Sequence, residues 1–325
     1  MSRLAYPLAF LASIALGSVA SAGEIELSLP VDCEPGRTCM VQNLVDADAG
    51  PDRRDAFCGR ATYDGHKGTD FRVADLAAMR EGADVLASAP GRVKAVRDGE
   101  PDALQSAAAV RGRECGNGLV IDHGNGWETQ YCHLARDSVR VAQGARVRRG
   151  QVLGRIGLSG RTQFPHVHLS LRKDGRTIDP ASGAPIEPGP VARCASNGGP
   201  GTLWDEKAAR AVRDDRRRIV AAGWAGGKVS GEAVMRSQVR VPASSGPLVF
   251  YAQFMNVRRG DVVALEIVDG RGRVVASKPR PILKDQATYT AFVGKSRMAP
   301  GRYEGRAVLS RDGVPLSDAR RAWTR

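Results

Sequence analysis

The sequence predicts a mainly β protein, with two β-rich units joined by a linker that carries a helix. Three observations carry that expectation. Between residues 58 and 180, short apolar runs alternate with polar residues at period two, and Gly, Asn and Asp interrupt them at turn spacing. From Ser237 to the C-terminus the same pattern returns. Between the two, Asp205 to about Ala222 ("DEKAARAVRDDRRRIVAA") has helix-forming composition, with Asp205 placed to cap it.

The elements follow in chain order. Residues 1–22 have the form of a signal peptide: Arg3, an apolar run to about Leu16, and Ala20–Ser21–Ala22 as a small-x-small cleavage signal. The run is short for a membrane span and no second one follows it, so no stable membrane anchor is expected. Residues 23–57 form an N-terminal segment. In 58–185, "DVLASAPGRVKAVRDG" alternates and turns at Pro90–Gly91, and "GLVIDHGNGWETQYCHL" is a hairpin around Gly-Asn-Gly. "ARVRRGQVLGRIGLSG" reads as two short strands about Arg149–Gly150, and "HVHLSLRKDGRTIDP" as a strand, an Asp-Gly turn and a return. Residues 98–114 break the pattern and read as a loop inserted at one end of the sheet. Residues 186–236 are the linker with its helix. Residues 237–325 contain several short strands with Asp-Gly turns at 269–270 and 312–313, the pattern of a small β-sandwich. That unit has no His and no Cys and reads as an accessory module of unknown partner.

Composition narrows the class of function. The formal charge of +13 loses only Arg3 with the leader, which leaves +12. A basic exported protein fits an anionic partner such as a cell-wall polymer. The arginines scatter along the chain, with no basic block interleaved with aromatics, so nucleic acid is not an expected partner. Six cysteines in an exported chain read as three disulfides out of 15 possible pairings. Cys33 and Cys39 flank a short turn, and Cys115 and Cys132 flank the predicted hairpin. Cys58–Cys194 then follows by elimination.

Only five histidines occur. In a strand, His166, His168 and Ser170 share one face, and Val167, Leu169 and Leu171 share the other. Alone, His-x-His reads equally as a polar stripe. His66 and Asp70 would lie roughly 13 Å apart in an extended strand, so they could share a metal only across a bend, which Gly65 and Gly68 allow. His133 ends the second hairpin strand. Two histidines and an aspartate supply three zinc ligands and leave a fourth position for water, as catalytic zinc sites do. The remaining histidines would then transfer protons or stabilise an oxyanion. His123 falls in the hairpin-turn motif and reads as structural.

Taken together, "HKGTDF", "GADVLASAPGRVKAV", "GNGLVIDHGNGWETQYCHL", "VRRGQVLGRIGLSGRT" and "PHVHLSLR" resemble the lysostaphin/LytM-type zinc endopeptidases of bacterial cell walls, in that family's order over about residues 60–180. The resemblance implies an open, mostly antiparallel β-sheet with a groove. It implies one zinc ion per chain bound by His66, Asp70 and His168, with His133 and His166 as the catalytic pair. It also implies hydrolysis of peptidoglycan peptides, in the periplasm or outside the cell. A non-catalytic wall-binding or hydrolase-activating protein, and a secreted protease of glycine-rich proteins, are the competing expectations. This sequence departs from the family where Gln163–Phe164–Pro165 replaces the usual Ser/Thr-Gly-Pro, where Ser170 replaces an acidic residue, in the 98–114 insertion and in its extra cysteines.

Overall fold

A computed structural model describes residues 25–186, 194, 201–214 and 218–325. The expected leader at 1–22 lies outside the described residues, as does most of the Pro/Gly-rich part of the linker. Among the described residues no helix is long and apolar enough to cross a membrane.

The first part of the chain forms β1 (Met40–Val41), β2 (Thr69–Arg72), α1 (Leu76–Glu81), β3 (Asp84–Leu86), β4 (Gly91–Arg97), β5 (Asn117–Gly124), β6 (Trp127–Leu134), β7 (Arg146–Val147), β8 (Val152–Arg155), β9 (His166–Lys173) and β10 (Arg176–Ile178). The second part forms α2 (Glu206–Asp214), β11 (Arg218–Ala225), α3 (Gly231–Met235), β12 (Leu248–Val257), β13 (Asp261–Asp269), β14 (Val274–Pro281), β15 (Gln286–Lys295), β16 (Arg302–Arg311) and β17 (Val314–Thr324).

The larger sheet runs β1-β2-β9-β6-β5-β4-β7, with β10 paired to the far end of β9. All of its ladders are antiparallel. Period-two alternation divides it into two faces. Phe71, Leu119, Ile121, Tyr131, Val167, Leu169 and Leu171 point into one core, where Leu27, Val41 and Leu44 of the N-terminal segment and Trp204, Ala208 and Val212 around α2 cover them. Phe71 and Trp204 meet edge to face with centroids 5.8 Å apart. Each fully buried Leu or Val contributes roughly 1.5–3 kcal/mol. A slip of one residue in β9 would exchange Val167, Leu169 and Leu171 for His166, His168 and Ser170, so burial fixes the register.

The two short strands expected about Arg149–Gly150 form as β7 and β8; β7 joins β4, and β8 pairs with β3 in a separate two-stranded sheet. One local reading of the sequence is corrected. The expected helix from Asp205 to Ala222 is capped as expected, with Asp205 Oδ1 accepting from Ala208 N at 2.8 Å, and α2 covers Glu206–Asp214 among the described residues. From Arg218 the chain is β11 and not helix, because "RIVAAGWA" pairs with Val249–Met255 of β12, and that ladder overrides local helix propensity.

The C-terminal part has two packed sheets, β11-β12-β15 and β14-β13-β16-β17. Leu248, Phe250, Phe254, Val263, Leu265, Ile267, Ala307 and Leu309 fill the space between them. This is the predicted sandwich, with β11 as an additional strand. It touches the first part at a small apolar cluster of Met40, Val220 and Met255, and through Asn256, whose side-chain amide donates to the Gln42 carbonyl.

All six cysteines are paired, as Cys33–Cys39, Cys58–Cys194 and Cys115–Cys132. Thiol titration of the denatured, unreduced protein should therefore find almost no free thiol. Replacing Cys115 and Cys132 together by serine should cost about 3 kcal/mol in denaturant unfolding, the scale for a loop of this length. Several free thiols in the mature protein would contradict the pairing.

Candidate metal centre

β2 and β9 place Asp70 directly opposite His168 and Arg72 opposite His166. His66 reaches the same point from the loop before β2. Gly65 turns that loop at φ +71°, and Gly68 lets it lie against β9, where a Cβ would come 2.5 Å from the His168 ring. Asp46 fixes the bend: its amide donates to His66 O (2.7 Å) and its carboxylate accepts from Gly65 N (2.9 Å).

Three donor atoms converge. His66 Nε2 lies 3.1 Å from Asp70 Oδ1 and 3.1 Å from His168 Nδ1, and His168 Nδ1 lies 2.8 Å from Asp70 Oδ1. Two ligands about 2.0 Å from a tetrahedral zinc ion stand roughly 3.3 Å apart, close to these separations. The other atoms of the three residues are committed elsewhere. His66 Nδ1–H donates to the Leu44 carbonyl at 2.6 Å, which leaves the lone pair on Nε2 facing the carboxylate. Asp70 Oδ2 accepts from Asn43 Nδ2 at 2.8 Å, and the Ser170 hydroxyl is 2.9 Å from His168 Nε2. Acceptor facing acceptor in a buried site calls for a cation between them, and outer partners of this kind are what orient metal ligands. His66 and Asp70 are buried, and His168 keeps 16% of its side chain exposed.

His133 and His166 stand beside this set, their ring centroids 4.7 Å apart. His133 Nδ1–H donates to Ser159 O at 2.8 Å. His166 Nδ1–H is shared between Phe164 O (2.8 Å) and Thr162 Oγ1 (3.1 Å). Both rings therefore keep the Nε2 lone pair. His133 is held at a left-handed φ of +65°, unusual for a residue with a side chain. Its amide donates to Cys115 O (2.8 Å) and its carbonyl accepts from Gly157 N (3.0 Å). The Cys115–Cys132 disulfide thus pins the end of the 98–114 insertion next to His133.

The charges are set by burial and by Asp70. Burial opposes a charge on Asp70, but the neighbouring imidazoles outweigh it and hold the carboxyl well below its usual range. Burial also opposes charge on His66, where Asp70 and the Leu44 hydrogen bond prevail and raise its pKa. Burial, with His166 and His168 nearby, holds His133 well below the usual imidazole value, so it is neutral at pH 7. His123 lies outside the site, with Nδ1 on Pro90 O and Nε2 on Thr129 Oγ1, both at 2.7 Å. Beyond His168 the same face carries a polar strip in which Arg172 bonds Gln130 at 2.8 Å and, with Lys94, flanks Glu128.

The five residues named from the sequence meet at one place. Asn43, the Leu44 carbonyl, Asp46, the Ser159 carbonyl and Thr162 were not legible beforehand, since each acts through an atom that carries no motif. The Asn43 amide was the most accessible of them, lying in a segment with no strand pattern of its own.

His168→Ala should abolish stoichiometric metal in elemental analysis of the purified protein, and His123→Ala should retain it. Asn43→Ala should weaken metal affinity by about 10–100-fold in chelator competition. Full occupancy in both His66→Ala and His168→Ala would contradict the site.

The same stretch of sequence is similar to known proteins. Residues 64–180 match Peptidase family M23. Peptidoglycan DD-endopeptidase ShyB of Vibrio cholerae serotype O1 is 34% identical over 129 residues, which cover 40% of this chain and 25% of that protein. DD-carboxypeptidase/endopeptidase Mpg of Neisseria meningitidis serogroup B is 45% identical over 67 residues, 21% of this chain and 15% of that one. The chain thus spans a quarter or less of the length of these relatives. A crystal structure of a zinc-containing peptidase from Vibrio cholerae is similar at 28% identity with a TM-score of 0.33, covering 48% of this chain and 39% of that one. Ligand set, strand register and sequence match coincide in the same stretch, and the chain carries a peptidase family M23 domain over residues 64–180.

Proposed function

We propose that this protein is an exported, zinc-dependent endopeptidase that hydrolyses peptide cross-links of bacterial peptidoglycan. The observation that carries the reading is the convergence of His66 Nε2, Asp70 Oδ1 and His168 Nδ1 beside two histidines whose Nε2 atoms are uncommitted to backbone. Two imidazoles and one carboxylate are the donor set that catalytic zinc sites use, and they leave a coordination position for water. The names of the relatives, a peptidoglycan DD-endopeptidase and a DD-carboxypeptidase/endopeptidase, support the substrate class. Basic charge on the mature chain favours an anionic wall.

A zinc ion held by these donors would supply Lewis acidity, polarising a carbonyl and bringing the pKa of water toward about 7. The protein's own groups do the rest. Asp70 balances the charge of the site and, with the Asn43 amide on its other oxygen, keeps one orientation. His133, neutral and fixed through Ser159, is ready to accept a proton at Nε2. His166, fixed through Phe164 and Thr162, offers a second Nε2 on the same side. One takes the proton of the attacking water as the new C–O bond forms; the imidazolium so made hydrogen-bonds the tetrahedral intermediate and then gives that proton to the amide nitrogen as the C–N bond breaks and the amine leaves. The polar strip of Gln130, Arg172, Glu128 and Lys94 continues from the site along the sheet and would line the bound peptide.

Digestion of purified wall sacculi should release uncross-linked muropeptides, identified by mass spectrometry. Chelator should stop the reaction and added zinc should restore it. A protein that holds zinc, binds sacculi and cuts nothing would instead be a wall-binding module. His133→Ala and His166→Ala should each keep zinc and melt normally, while turnover falls at least about a hundredfold. Near wild-type turnover in His133→Ala would contradict the mechanism.

The pH dependence follows from the directions of the shifts. His66 has a raised pKa and His168 a lowered one, so of these two ligands His66 takes up a proton first as the pH falls. Its protonated Nε2 has no lone pair for a metal. His133 has a depressed pKa and is still neutral at that point. Bound zinc and activity should therefore decline together as the pH falls through the raised His66 pKa, from a pH above the ordinary imidazole value downward, measured as zinc content and turnover across a pH series. Activity lost at a pH where zinc is fully retained would place the critical titration elsewhere.

A further inference from the structure

Arg72 is among the largest fully buried side chains in the protein, and the chemistry above does not use it. A buried guanidinium is costly unless it is hydrogen-bonded, and here each of its three nitrogens has a partner. Nε donates to Val73 O (3.0 Å), Nη2 to Ala74 O (2.9 Å) and Nη1 to the Gln42 side-chain oxygen. The charged carbon lies over the Phe164 ring, 4.7 Å from its centroid. That ring is in turn 4.6 Å from the His166 ring, and the Phe164 carbonyl accepts the His166 Nδ1–H. Arg72 also stands directly opposite His166 in the β2–β9 ladder, and Val73 N bonds the Pro165 carbonyl at 3.2 Å. Phe164 lies in the stretch where this sequence departs from the family pattern, and its ring packs on the Arg72 cation.

Gln42 ties this stack to the other part of the molecule. Its carbonyl accepts from the Asn256 side chain on β12, and its amide nitrogen reaches Ala287 O on β15 at 3.5 Å. Its backbone N–H donates to Asp70 O at 2.9 Å. A continuous set of contacts therefore runs from the sandwich through Gln42, Arg72 and Phe164 to His166.

We propose that Arg72 is a positioning residue: through Phe164 it sets the orientation of the His166 ring, and through Gln42 it makes that orientation depend on the docking of the C-terminal sandwich. The kinetic part of the proposal rests on the endopeptidase reading, and the structural part does not. Contacts in a chain do not by themselves demonstrate coupling, so the test is a double-mutant cycle.

The zinc-loaded full chain is compared with Arg72→Lys, Phe164→Leu, Asn256→Ala and the Phe164→Leu/Asn256→Ala double variant. Turnover is measured on cross-linked muropeptides, alongside zinc content, melting and the carbon–proton NMR signal of the His166 ring, assigned by its loss in His166→Ala. Each single variant should keep zinc and KM, lower kcat by roughly 5–20-fold, and shift the His166 signal. The double variant should be no worse than Phe164→Leu alone, because the effect of Asn256 passes through Phe164. A merely structural role would move melting and leave the His166 signal and the kcat-against-KM split unchanged. Wild-type kcat and an unmoved His166 signal in Arg72→Lys and Asn256→Ala, or fully additive losses in the double variant, would overturn the proposal. If Arg72→Lys does not fold, Phe164→Leu and Asn256→Ala complete the cycle. If the wild type cuts nothing, the endopeptidase reading fails, and the His166 signal alone decides: moved in Asn256→Ala it supports the coupling, unmoved it overturns it.

Discussion

The antiparallel register of β2 against β9 sets Asp70 across from His168 and Arg72 across from His166, and the site depends on that pairing. It is fixed from the opposite face of the sheet, where Val167, Leu169 and Leu171 are fully buried and could not exchange places with the histidines without putting imidazoles and a hydroxyl into the apolar core. The metal centre is thus a by-product of a well-determined core. Three donors approach within 3.1 Å of one another because apolar residues one position away have nowhere else to go.

Around this pairing, orientation comes largely from backbone carbonyls. Leu44, Ser159 and Phe164 each take the Nδ1–H of one imidazole and so assign the lone pair of His66, His133 and His166 to Nε2. All three carbonyls belong to segments without regular structure: the N-terminal segment, the turn around Gly160 and the stretch just before β9. The N-terminal segment therefore has a more specific part than a lead-in to the first domain. It supplies Asn43 to Asp70, Leu44 and Asp46 to the His66 loop, and Gln42 to Arg72.

Legibility in the sequence followed the same division. Period-two alternation located β5, β6, β9 and the strands of the sandwich, because each buries one face against a core and the pattern records it. The five site residues were legible through their residue types and order. The pairing partners of β7 and β8 were not: two-residue and four-residue strands carry too little pattern to say what they bond to. β11 read as helix because Ala- and Arg-rich segments favour helix locally, and only the ladder with β12 decides otherwise. The replacement of Ser/Thr-Gly-Pro by Gln163–Phe164–Pro165 was visible as a departure, but its counterpart, the buried Arg72 under the ring, required three-dimensional contacts. Ser170 is similar: the acidic residue expected there is absent, and its hydroxyl meets His168 Nε2 instead.

The most direct test of the account is anomalous diffraction from a crystal of the mature protein at the zinc absorption edge. The account predicts one strong peak per chain, about 2.0–2.2 Å from His66 Nε2, Asp70 Oδ1 and His168 Nδ1, with His133 and His166 outside coordination distance. A peak ligated by His133 or His166, or a fully occupied zinc elsewhere on the chain with none at this point, would contradict it.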